Sequence, residues 1–396
     1  MLLLVVTGFA SLIFVFAVYL SYFFLVYRKG AEGPKFFDKV KNNQISGGTL
    51  PPVSIIIGTY NEEKVIRRKL ENVSRLDYPS DKLEIIVIDD CSSDGTGILA
   101  KTALFDLNLK GKVLKNSRRL GLNASLNLAF DKATYDVVCV TDSDVILDKS
   151  ALKTVVHVLE NFKEAGGVTG RIQPIYERGG IAQTSEEKYR NFYDRFMLSE
   201  SSLHSAFPGN GPLIVFNKSK VPFSIPVDYG STDGNIAMNV IKSGLRFIYV
   251  PSAVIFEPVP ESVGQQKLQK VRRAQRLIQV FLHNMDVFLN NKYGNFGRII
   301  FPIKLLMLSV CPVLIFTGLI LLVASMILTQ NLLLYAVSTL AITSAIIVLT
   351  LFRQLRNTLL SFVLHQIYLI AGLISSMQKS TYWEIIKRNK LSHIRT

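Results

Sequence analysis

The stretch Ile85-Ile86-Val87-Ile88-Asp89-Asp90 decides the fold of this chain, because a run of β-forming residues ends there in two carboxylates. A similar run, Val137-Val138-Cys139-Val140, is followed by Thr141 and then by Asp142-Ser143-Asp144. Ionised carboxylates are costly beside a hydrophobic core unless they are paired or bound to a metal. Ligands of open α/β sheets bind at the carboxyl ends of the strands. The two acidic endings therefore predict a binding site at one edge of a sheet.

Residues 53–262 have the pattern of one globular α/β domain built around these two motifs. Short β-forming runs alternate with amphipathic helical stretches, and this order predicts parallel βαβ units. The predicted strands are Val53–Ile57, Glu84–Ile88, Val113–Leu114 and Asp136–Val140. The helices predicted between and after them are Glu62–Arg75, Thr96–Asp106, Ala124–Lys132 and Lys149–Asn161.

The composition is too apolar for an ordinary soluble enzyme and too polar for a transporter made only of membrane helices. The 396 residues are 49% hydrophobic and carry a formal net charge of +15. The basic residues cluster beside apolar segments, so the charge favours contact with anionic membrane lipids, and nucleic acid is not an expected partner. The three cysteines, Cys91, Cys139 and Cys311, show no CxxC spacing, which argues against a disulfide framework or a zinc site.

Residues 1–27 are predicted to form a transmembrane helix, because Leu2 to Tyr27 is almost wholly apolar and long enough to span ~30 Å of hydrocarbon. A cleaved signal peptide is the competing interpretation. It is disfavoured by the length of the apolar run and by the lack of a charged leading segment and of a small-residue cleavage site. The basic linker that follows, residues 28–52, places the next domain in the cytoplasm by the positive-inside rule.

Residues 263–300 are predicted to contain an amphipathic helix at the membrane interface. Between Gln265 and Leu289, apolar residues recur at spacings of three and four, while the basic side chains fall largely elsewhere on the helical wheel. A basic amphipathic helix just before a membrane segment is typical of an interfacial helix. The alternative is a helix of the globular core.

Residues 301–378 are predicted to hold about three further membrane segments, Ile303–Leu328, Leu332–Leu351 and Leu359–Met377, and Pro312 should kink the first. Four spans in total would leave the C-terminus outside the cell. The tail, residues 379–396, is basic, and the positive-inside rule places it in the cytoplasm instead. The sequence leaves open whether one segment is interfacial or re-entrant.

The acidic motifs suggest a phosphate-binding site that contains a divalent cation. Asp144, together with Asp142, offers the carboxylate oxygens that Mg²⁺ or Mn²⁺ prefers in octahedral sites completed by water and phosphate. For an isolated Asp-x-Asp a capped turn is the alternative, but the position after a buried strand favours the metal. Asp89 and Asp90 can accept hydrogen bonds from a nucleobase edge or a ribose hydroxyl.

The chain resembles the family 2 inverting glycosyltransferases, whose motifs it carries in the family's order over roughly residues 53–276. Each motif is modest alone, but the ordered set is highly specific. The resemblance implies the GT-A fold, which is an α/β architecture, and the membrane-embedded synthases of cellulose, hyaluronan and poly-N-acetylglucosamine are similar in having membrane segments on both sides of the catalytic domain. The matching residues are Tyr60-Asn61-Glu62, Asp89-Asp90-x-Ser-Ser-Asp94, Asp142-Ser-Asp144, Gly209-Asn-Gly211, Thr232-Asp233, Glu257-Pro-Val-Pro260-Glu-Ser and Gln269-x-x-Arg272.

The resemblance implies roles for the matching residues. Asp233 would be the general base that takes the proton of the acceptor hydroxyl as this hydroxyl attacks the anomeric carbon. Gln269 and Arg272 complete the catalytic set, and Arg272 offers the diphosphate a bidentate fork. The alternative role for Asp233 is an N-cap on a helix over Gly234–Ile241. The implied nucleotide-sugar ligands are Thr59, Tyr60, Glu62, Asp89, Asp90, Asp142 and Arg273, and the implied metal ligands are Asp144 and Asp142.

The chain departs from the family pattern at three positions. Arg273 replaces the Trp of the QxxRW motif, which borders the acceptor in polymerising members, and this puts processivity in doubt. Thr232 replaces the Glu of the TED motif, and Leu122 stands where many relatives carry Lys.

The expected function is therefore a multi-pass plasma-membrane glycosyltransferase that uses a nucleotide-diphosphate sugar, with UDP as the favoured nucleotide and Mg²⁺ or Mn²⁺ as cofactor. The acceptor is either a glycan or a lipid, and a polyprenyl-phosphate glycosyltransferase is the main alternative within the enzyme class. Membrane lipids are expected partners, and the resemblance leaves room for an accessory membrane subunit. A transporter with a nucleotide-binding domain and a nucleotide-sugar-binding pseudoenzyme are the alternatives from other classes.

Overall fold

A computed structural model of the chain describes residues 2–30, 49–175, 193–221, 224–258, 263–329, 350 and 352–378. Within these residues the domain is built on one eight-stranded sheet in the order β3-β2-β1-β4-β7-β6-β8-β5. The first four strands are mutually parallel, as the alternating pattern predicts, and β7 joins β4 in the antiparallel direction. The strands are β1 Val53–Thr59, β2 Leu83–Asp89, β3 Gly111–Lys115, β4 Val137–Asp142, β5 Ile146–Leu147, β6 Ala165–Ile175, β7 Ile214–Asn217 and β8 Arg246–Pro258.

The helices of the domain follow the predicted order, and one of them, Thr96–Asp106, has the predicted bounds. The helix predicted to start at Glu62 starts at Ile66 instead. The reason is tertiary: Asn61 adopts a left-handed φ of 56°, and the backbone N–H of Glu62 donates to Thr96 Oγ1 at 2.8 Å, so this segment forms a loop. The domain helices are α2 Ile66–Ser74, α3 Thr96–Asp106, α4 Leu122–Lys132, α5 Ala151–Asn161, α6 residues 193–203 and α7 Thr232–Lys242.

Both faces of the sheet are covered, which explains why the parallel strands are continuous apolar runs. Along β1, Ile55 and Ile57 enter one buried cluster and Ile56 enters the other, because successive side chains of a strand point to opposite faces. The first cluster includes residues of α2, α3 and α5, and the second includes residues of α4 and α7. The strands that end in acidic residues are thus packed against a buried cluster on each face of the sheet.

Three helices among the described residues are long and apolar enough to cross a membrane: Leu2–Leu25, Phe296–Leu328 and Leu355–Ser376. The first belongs to α1, Leu2–Gly30, and the third to α10, Arg353–Ser376. A Cβ added to Gly8 of α1 would lie 3.1 Å from the carbonyl oxygen of Gly318 in the second span, so α1 and the second span approach each other closely at small residues, as membrane helices often do. The predicted segment Leu332–Leu351 lies outside the described residues apart from position 350.

The second span, α9, covers residues 296–329 and lies between α1 and α10 in the sequence. It is longer than predicted and irregular at its start. It consists of Phe296–Ile300, Phe301–Leu305, Leu306–Val310 and Cys311–Thr329, of which the first and third are π-helical turns. The second π-helical turn ends at Val310, two residues before Pro312, the position of the predicted kink; proline has no N–H to donate within a helix. Phe296 and Phe301 are buried in the second cluster, so α9 begins inside the domain.

The predicted amphipathic helix is present as α8, Val263–Leu282, and it ends seven residues earlier than expected. Val280 and Phe281 belong to the second buried cluster of the domain. On the α10 side, a Cβ added to Gly372 would lie 2.6 Å from Cβ of Ala274. α8 therefore packs against both the domain and α10. The expectation that its basic residues avoid buried positions is wrong for Arg276, which is 5% exposed.

A buried ionic cluster connects the membrane helices to the domain. Glu200 of α6 is fully buried, and its carboxylate accepts hydrogen bonds from Tyr22 of α1 and from the backbone N–H of Phe207. Lys304 Nζ of α9 lies 2.5 Å from Glu200 Oε1 and also donates to the carbonyl oxygen of Phe207. Buried charges persist when they are paired and hydrogen-bonded, as here.

Candidate active site

The register of the sheet brings the predicted strand-end residues side by side. Thr59 at the end of β1 is paired with Asp89 at the end of β2, and Gly58 is paired with Asp142 at the end of β4. These positions form one edge of the parallel sheet, where ligands bind in such folds. Three motifs that are distant in sequence thus share one edge.

Asp90 shapes the loop that follows β3. Its Oδ1 accepts hydrogen bonds from the backbone N–H of Leu120 at 2.7 Å and from Asn116 Nδ2 at 2.9 Å, and its Oδ2 accepts one from the N–H of Gly121 at 2.8 Å. These contacts bring residues 116–121 against the sheet edge. The predicted contact between Asp90 and a nucleotide stays a prediction.

Asp89 is fully buried below this edge. Its Oδ1 accepts a hydrogen bond from the backbone N–H of Ser92 at 2.9 Å, while Oδ2 has no hydrogen-bond partner among the residues that the structure describes. A Cβ added to Gly97 would lie 2.9 Å from Oδ2, so glycine is needed at this point of α3. The carboxylate lies beside the first turn of α3, where the helix dipole favours a negative charge. Asp89 therefore supports the loop between β2 and α3.

The residues after β1 contribute an aromatic surface. The Arg119 guanidinium lies 3.9 Å from the centroid of the Tyr60 ring, which is within cation–π range. Thr59 is buried, and its hydroxyl donates to the carbonyl oxygen of Ile88 at 3.2 Å. Glu62 is half-buried in the adjoining loop. The Arg119 guanidinium thus covers one face of the Tyr60 ring, and Arg119 belongs to the loop 116–121 that Asp90 contacts.

Asp142 and Asp144 flank the turn between β4 and β5, and both are half-buried. Among the described residues, no group of three or more His, Cys, Asp or Glu side chains is arranged to hold a metal ion. Two carboxylates still fit Mg²⁺ or Mn²⁺, because such ions are commonly held by one or two carboxylates together with substrate phosphates and water. The donor set here has that composition.

Lys69 lies directly beneath this turn and is 1% exposed. Its Nζ donates to Thr141 Oγ1 at 2.8 Å and to the carbonyl oxygen of Val145 at 3.2 Å, on either side of the two aspartates. Burial lowers the pKa of Lys69 to about 7, and the charge of Asp142 acts in the opposite direction. The Thr141 hydroxyl in turn donates to the carbonyl oxygen of Pro212 at 2.7 Å. Lys69 therefore holds the acidic turn from below.

Asp233 lies in the first turn of α7, and the alternative role as its N-cap is wrong. The N-cap is Ser231, whose Oγ accepts a hydrogen bond from the N–H of Gly234 at 3.2 Å. Burial raises the pKa of Asp233, while hydrogen bonds from Ser231 and Gly234 and the charge of Arg273 lower it, and burial dominates. A Cβ added to Gly211 would lie 3.8 Å from Asp233 Cβ, so the Gly209-Asn210-Gly211 loop approaches this carboxyl group closely.

Two departures from the family pattern have local explanations. The Thr232 hydroxyl donates to Asn123 Oδ1 at 2.6 Å, and Asn123 Nδ2 donates to the carbonyl oxygen of Pro226 at 2.8 Å. Thr232 thus fastens the turn before Asp233 to α4. A Cβ added to Gly58 would lie 2.4 Å from Leu122 Cδ1, so Leu122 packs onto the backbone of β1.

α8 contributes a group of arginines to the same site. Burial and the charges of Arg273 and Arg276 lower the pKa of Arg272 to about 10, while Asp142 acts in the opposite direction. Arg273 Nη2 lies 3.2 Å from Glu257 Oε1, and the Arg273 side chain is 52% exposed. Gln269 is buried one turn earlier on α8. Arg272 of the QxxR motif is therefore near enough to the acidic turn for Asp142 to affect its pKa, and the neighbouring Arg273 affects that of Asp233.

Four residues around this site carry no motif and escape sequence reasoning: Lys69, Arg119, Asn123 and Gln279, whose Oε1 accepts a hydrogen bond from the backbone N–H of Gly230. For Lys69 a signal exists, because it lies three residues after Ile66, on the same face of α2 as the buried Leu70 and Val73. A lysine on an apolar helical face indicates that the lysine has a buried hydrogen-bond partner or that a different face of the helix is buried. The other three act through loops whose geometry is not visible in one dimension.

Comparisons with known proteins agree with this architecture. A family model described as glycosyl transferase family 2 matches residues 54–217. The chain is 29% identical over 270 residues to the probable glycosyltransferase YdaM of Bacillus subtilis, covering 64% of this chain and 61% of that protein. It is 30% identical over 288 residues to the poly-beta-1,6-N-acetyl-D-glucosamine synthase of Staphylococcus aureus, covering 70% of this chain and 67% of that protein.

A solved structure shows the same fold. Mannosyltransferase PcManGT from Pyrobaculum calidifontis, in complex with GDP-Man and Mn²⁺, superposes with a TM-score of 0.69 at 24% identity, covering 92% of this chain and 97% of that chain. The predicted class, an α/β GT-A domain flanked by membrane helices, is therefore confirmed.

Proposed function

The chain belongs to glycosyl transferase family 2, and we propose that it is a membrane-bound inverting enzyme that transfers a sugar from a UDP-sugar to a glycan acceptor. The observation that carries the proposal is electrostatic: the charge of Asp142 acts on the pKa of Arg272, and the charge of Arg273 acts on that of Asp233. Residues of the sheet edge, of α7 and of α8 thus face one site.

The donor diphosphate binds between the acidic turn and α8. Asp142 and Asp144 would hold Mg²⁺ or Mn²⁺, and such an ion would supply positive charge to neutralise the departing diphosphate. Arg272, which is partly buried, offers a planar fork for a phosphate group. The nucleoside lies toward Tyr60 and Asp90, because these two groups flank the loop after β3. UDP is the favoured nucleotide because the Staphylococcus aureus relative is a poly-N-acetylglucosamine synthase.

Asp233 acts as the general base. A sugar hydroxyl is a weak nucleophile, and a carboxylate within hydrogen-bond reach takes its proton as it attacks the anomeric carbon. Attack from the face opposite the diphosphate inverts that carbon, and no covalent enzyme intermediate is required. The raised pKa of Asp233 makes it a stronger base than an exposed aspartate. The Gly209-Asn210-Gly211 loop lies beside this carboxyl group, and its two glycines present little side-chain bulk to an acceptor sugar.

A second candidate is a single transfer to a lipid-linked or polyprenyl-phosphate acceptor. The observation that favours it is Arg273, which is half-exposed and whose charge acts on the pKa of Asp233. A guanidinium binds the phosphate of such an acceptor well. A polymer that must slide past the site gains little from a fixed positive charge.

The three candidate spans indicate a membrane protein. We propose that it is multi-pass and that its catalytic domain lies on the cytoplasmic side, because Arg28 and Lys29 follow the first apolar run directly.

The test is a panel of nucleotide sugars on the full chain in lipid nanodiscs with Mn²⁺ or Mg²⁺, with release of UDP or GDP followed and any product sized. UDP release with a ladder of long products supports the synthase, and a one-sugar lipid product supports the second candidate. Asp233→Asn is expected to bind donor and to lose turnover. Near-normal turnover in this variant would show that Asp233 is not the base.

A further inference from the structure

We infer that Gln279 is a positioning residue that ties the turn carrying Asp233 to the C-terminal end of α10, the last described membrane-length helix. Gln279 lies on α8, outside the QxxR motif, and is 2% exposed. The inference rests on the proposed role of Asp233 as base. It adds a connection between the membrane part of the chain and the reacting atoms.

Both ends of the Gln279 amide are used. Its Oε1 accepts a hydrogen bond from the backbone N–H of Gly230 at 3.0 Å. Its Nε2 donates to the carbonyl oxygens of Ser376 at 3.2 Å and of Gln378 at 3.1 Å. A buried amide that is satisfied on both sides fixes its partners relative to each other, because either contact is costly to break in a dry environment.

The domain partner is the turn that positions Asp233. Gly230 has a left-handed φ of 76°, and Ser231, the N-cap of α7, follows it directly. A Cβ added to Gly230 would lie 2.6 Å from Asn235 Nδ2 and 2.8 Å from Val280, so the turn is in close contact with α8. A shift of Gly230 would move the first turn of α7, and Asp233 with it.

The membrane partner is a helix end. The last carbonyl groups of a helix have no partner within the helix, so they are available to side chains from outside. Gln279 takes two carbonyl oxygens at the end of α10, and Gln275, one turn earlier on α8, donates to the carbonyl oxygen of Ser375 at 3.0 Å. The close contact of Ala274 with Gly372 leaves no space for the two helices to slide.

Gln275 therefore provides a matched control for Gln279. Both side chains join α8 to the end of α10, but only Gln279 also reaches the turn of Asp233. If only the contact between α8 and α10 matters, substitutions of Gln275 and Gln279 should lower kcat by similar amounts. If the position of Asp233 matters, substitution of Gln279 should lower kcat and substitution of Gln275 should not. A misplacement of about 1 Å at a reacting group can lower the rate on the order of 100-fold.

The experiment compares Gln279→Leu, Gln275→Leu and Gln279→Glu in full-length protein in nanodiscs. We expect Gln279→Leu to lower kcat about 10- to 100-fold with donor affinity unchanged within about 2-fold, and Gln275→Leu to keep kcat within about 3-fold. Melting temperatures of the two leucine variants should fall by similar amounts. Equal loss of kcat in both leucine variants would overturn the inference.

Gln279→Glu separates the two halves of the connection. Glutamate still accepts from the Gly230 N–H, but its carboxylate repels the carbonyl oxygens of Ser376 and Gln378. We expect kcat of Gln279→Glu to fall about as far as that of Gln279→Leu. Wild-type kcat in Gln279→Glu would show that the hydrogen bonds to α10 do not contribute to positioning Asp233. Asp233→Asn separates a failure of this inference from a failure of the proposed function. If Asp233→Asn is inactive and Gln279→Leu is fully active, only the role of Gln279 is wrong. If Asp233→Asn is active, both the proposed base and the role of Gln279 are wrong.

Discussion

Arg273 Nη2 lies 3.2 Å from Oε1 of Glu257, and the same guanidinium lowers the pKa of Asp233. One cation thus joins the end of β8 to the residue proposed as base. Glu257 is buried and holds Arg273 in place, while half of the Arg273 side chain stays exposed to solvent. This arrangement makes Arg273 a regulator of the basicity of Asp233.

Replacement of Arg273 by Gln should move the acid limb of the pH profile of kcat to higher pH. The base is active only when deprotonated, and removal of a positive charge that lowers its pKa makes it bind its proton more tightly. Arg273→Lys keeps the charge and should leave the limb near its wild-type position. The difference should shrink at high salt, because the side chain is half-exposed. A limb that stays fixed in Arg273→Gln would argue against Asp233 as the titrating group.

Asp144→Asn should weaken the dependence of donor binding on Mn²⁺. Loss of an outer-shell partner of a metal ligand typically costs 10- to 100-fold in affinity or activity, so loss of a ligand should cost more than about 100-fold. Titration of UDP-sugar with and without Mn²⁺ measures the effect. Asp233→Asn is the comparison variant, since it should keep the Mn²⁺ dependence. A wild-type response in Asp144→Asn would remove this residue from the metal site.

Lys69→Met should weaken donor binding in the presence of Mn²⁺ by about 10- to 100-fold, because Lys69 holds both sides of the acidic turn. Methionine has a similar length but cannot donate a hydrogen bond. Lys64→Met is the matched control, since Lys64 is exposed shortly before α2. Calorimetric titration of both variants gives the comparison. Unchanged affinity in Lys69→Met would mean that the turn keeps its shape without the ammonium group.

Glu84 should make the domain lose stability in acid. Burial raises its pKa, but hydrogen bonds from Thr134, Ser54 and Lys112 outweigh burial and lower the pKa from 4.5 to about 2. A depressed carboxyl pKa stabilises the folded state above the unfolded value, and this contribution disappears as the pH falls through the folded value. The melting temperature should therefore drop more steeply between pH 4.5 and 2 in the wild type than in Glu84→Gln.

Glu71→Gln is the control for this acid effect, because Glu71 forms an exposed ion pair with Arg67 at 3.3 Å on α2. Exposed pairs contribute little to stability. The Glu71→Gln melting curve should follow the wild type throughout the acid range, and equal slopes for wild type and Glu84→Gln would contradict the assignment to Glu84.

Lys304→Met should destabilise the protein by about 3–5 kcal/mol, because removal of one partner leaves the buried carboxylate of Glu200 uncompensated. The double variant Glu200→Gln, Lys304→Met should recover part of this loss, since it removes both charges. Thermal melting in the same nanodiscs gives the comparison. A double variant less stable than Lys304→Met would mean that the Glu200 hydrogen bonds to Tyr22 and Phe207 outweigh its charge.

The sheet edge was predictable from sequence, because carboxylates directly after runs of β-forming residues are visible in the sequence and unusual beside a core. The predicted strands fall within the observed β1, β2 and β3, the fourth begins one residue before β4, and Asp89 and Asp142 end β2 and β4. The start of α2 was not predictable, because Asn61 and Glu62 are held by Ser92 and Thr96, over 30 residues away. Local propensity cannot report bonds of that kind.

The support beneath the site was invisible for a similar reason. Gln279 and Lys69 are ordinary residues of amphipathic helices, and what they touch depends on how those helices dock. Asp233 was placed correctly at the start of a helix, but the cap proved to be Ser231, two residues earlier. Sequence patterns thus locate the chemistry here, whereas packing decides which side chains hold it in place.

The bond between Tyr22 and Glu200 also sets an order for biogenesis. The two residues are 178 positions apart, and Tyr22 leaves the ribosome first. The contact of α1 with α6 can therefore form only after Glu200 has been synthesised. Completion of the catalytic domain and assembly of the membrane part become one late event. A chain that stops before Glu200 would carry α1 and the first part of the domain without the buried contact that joins them.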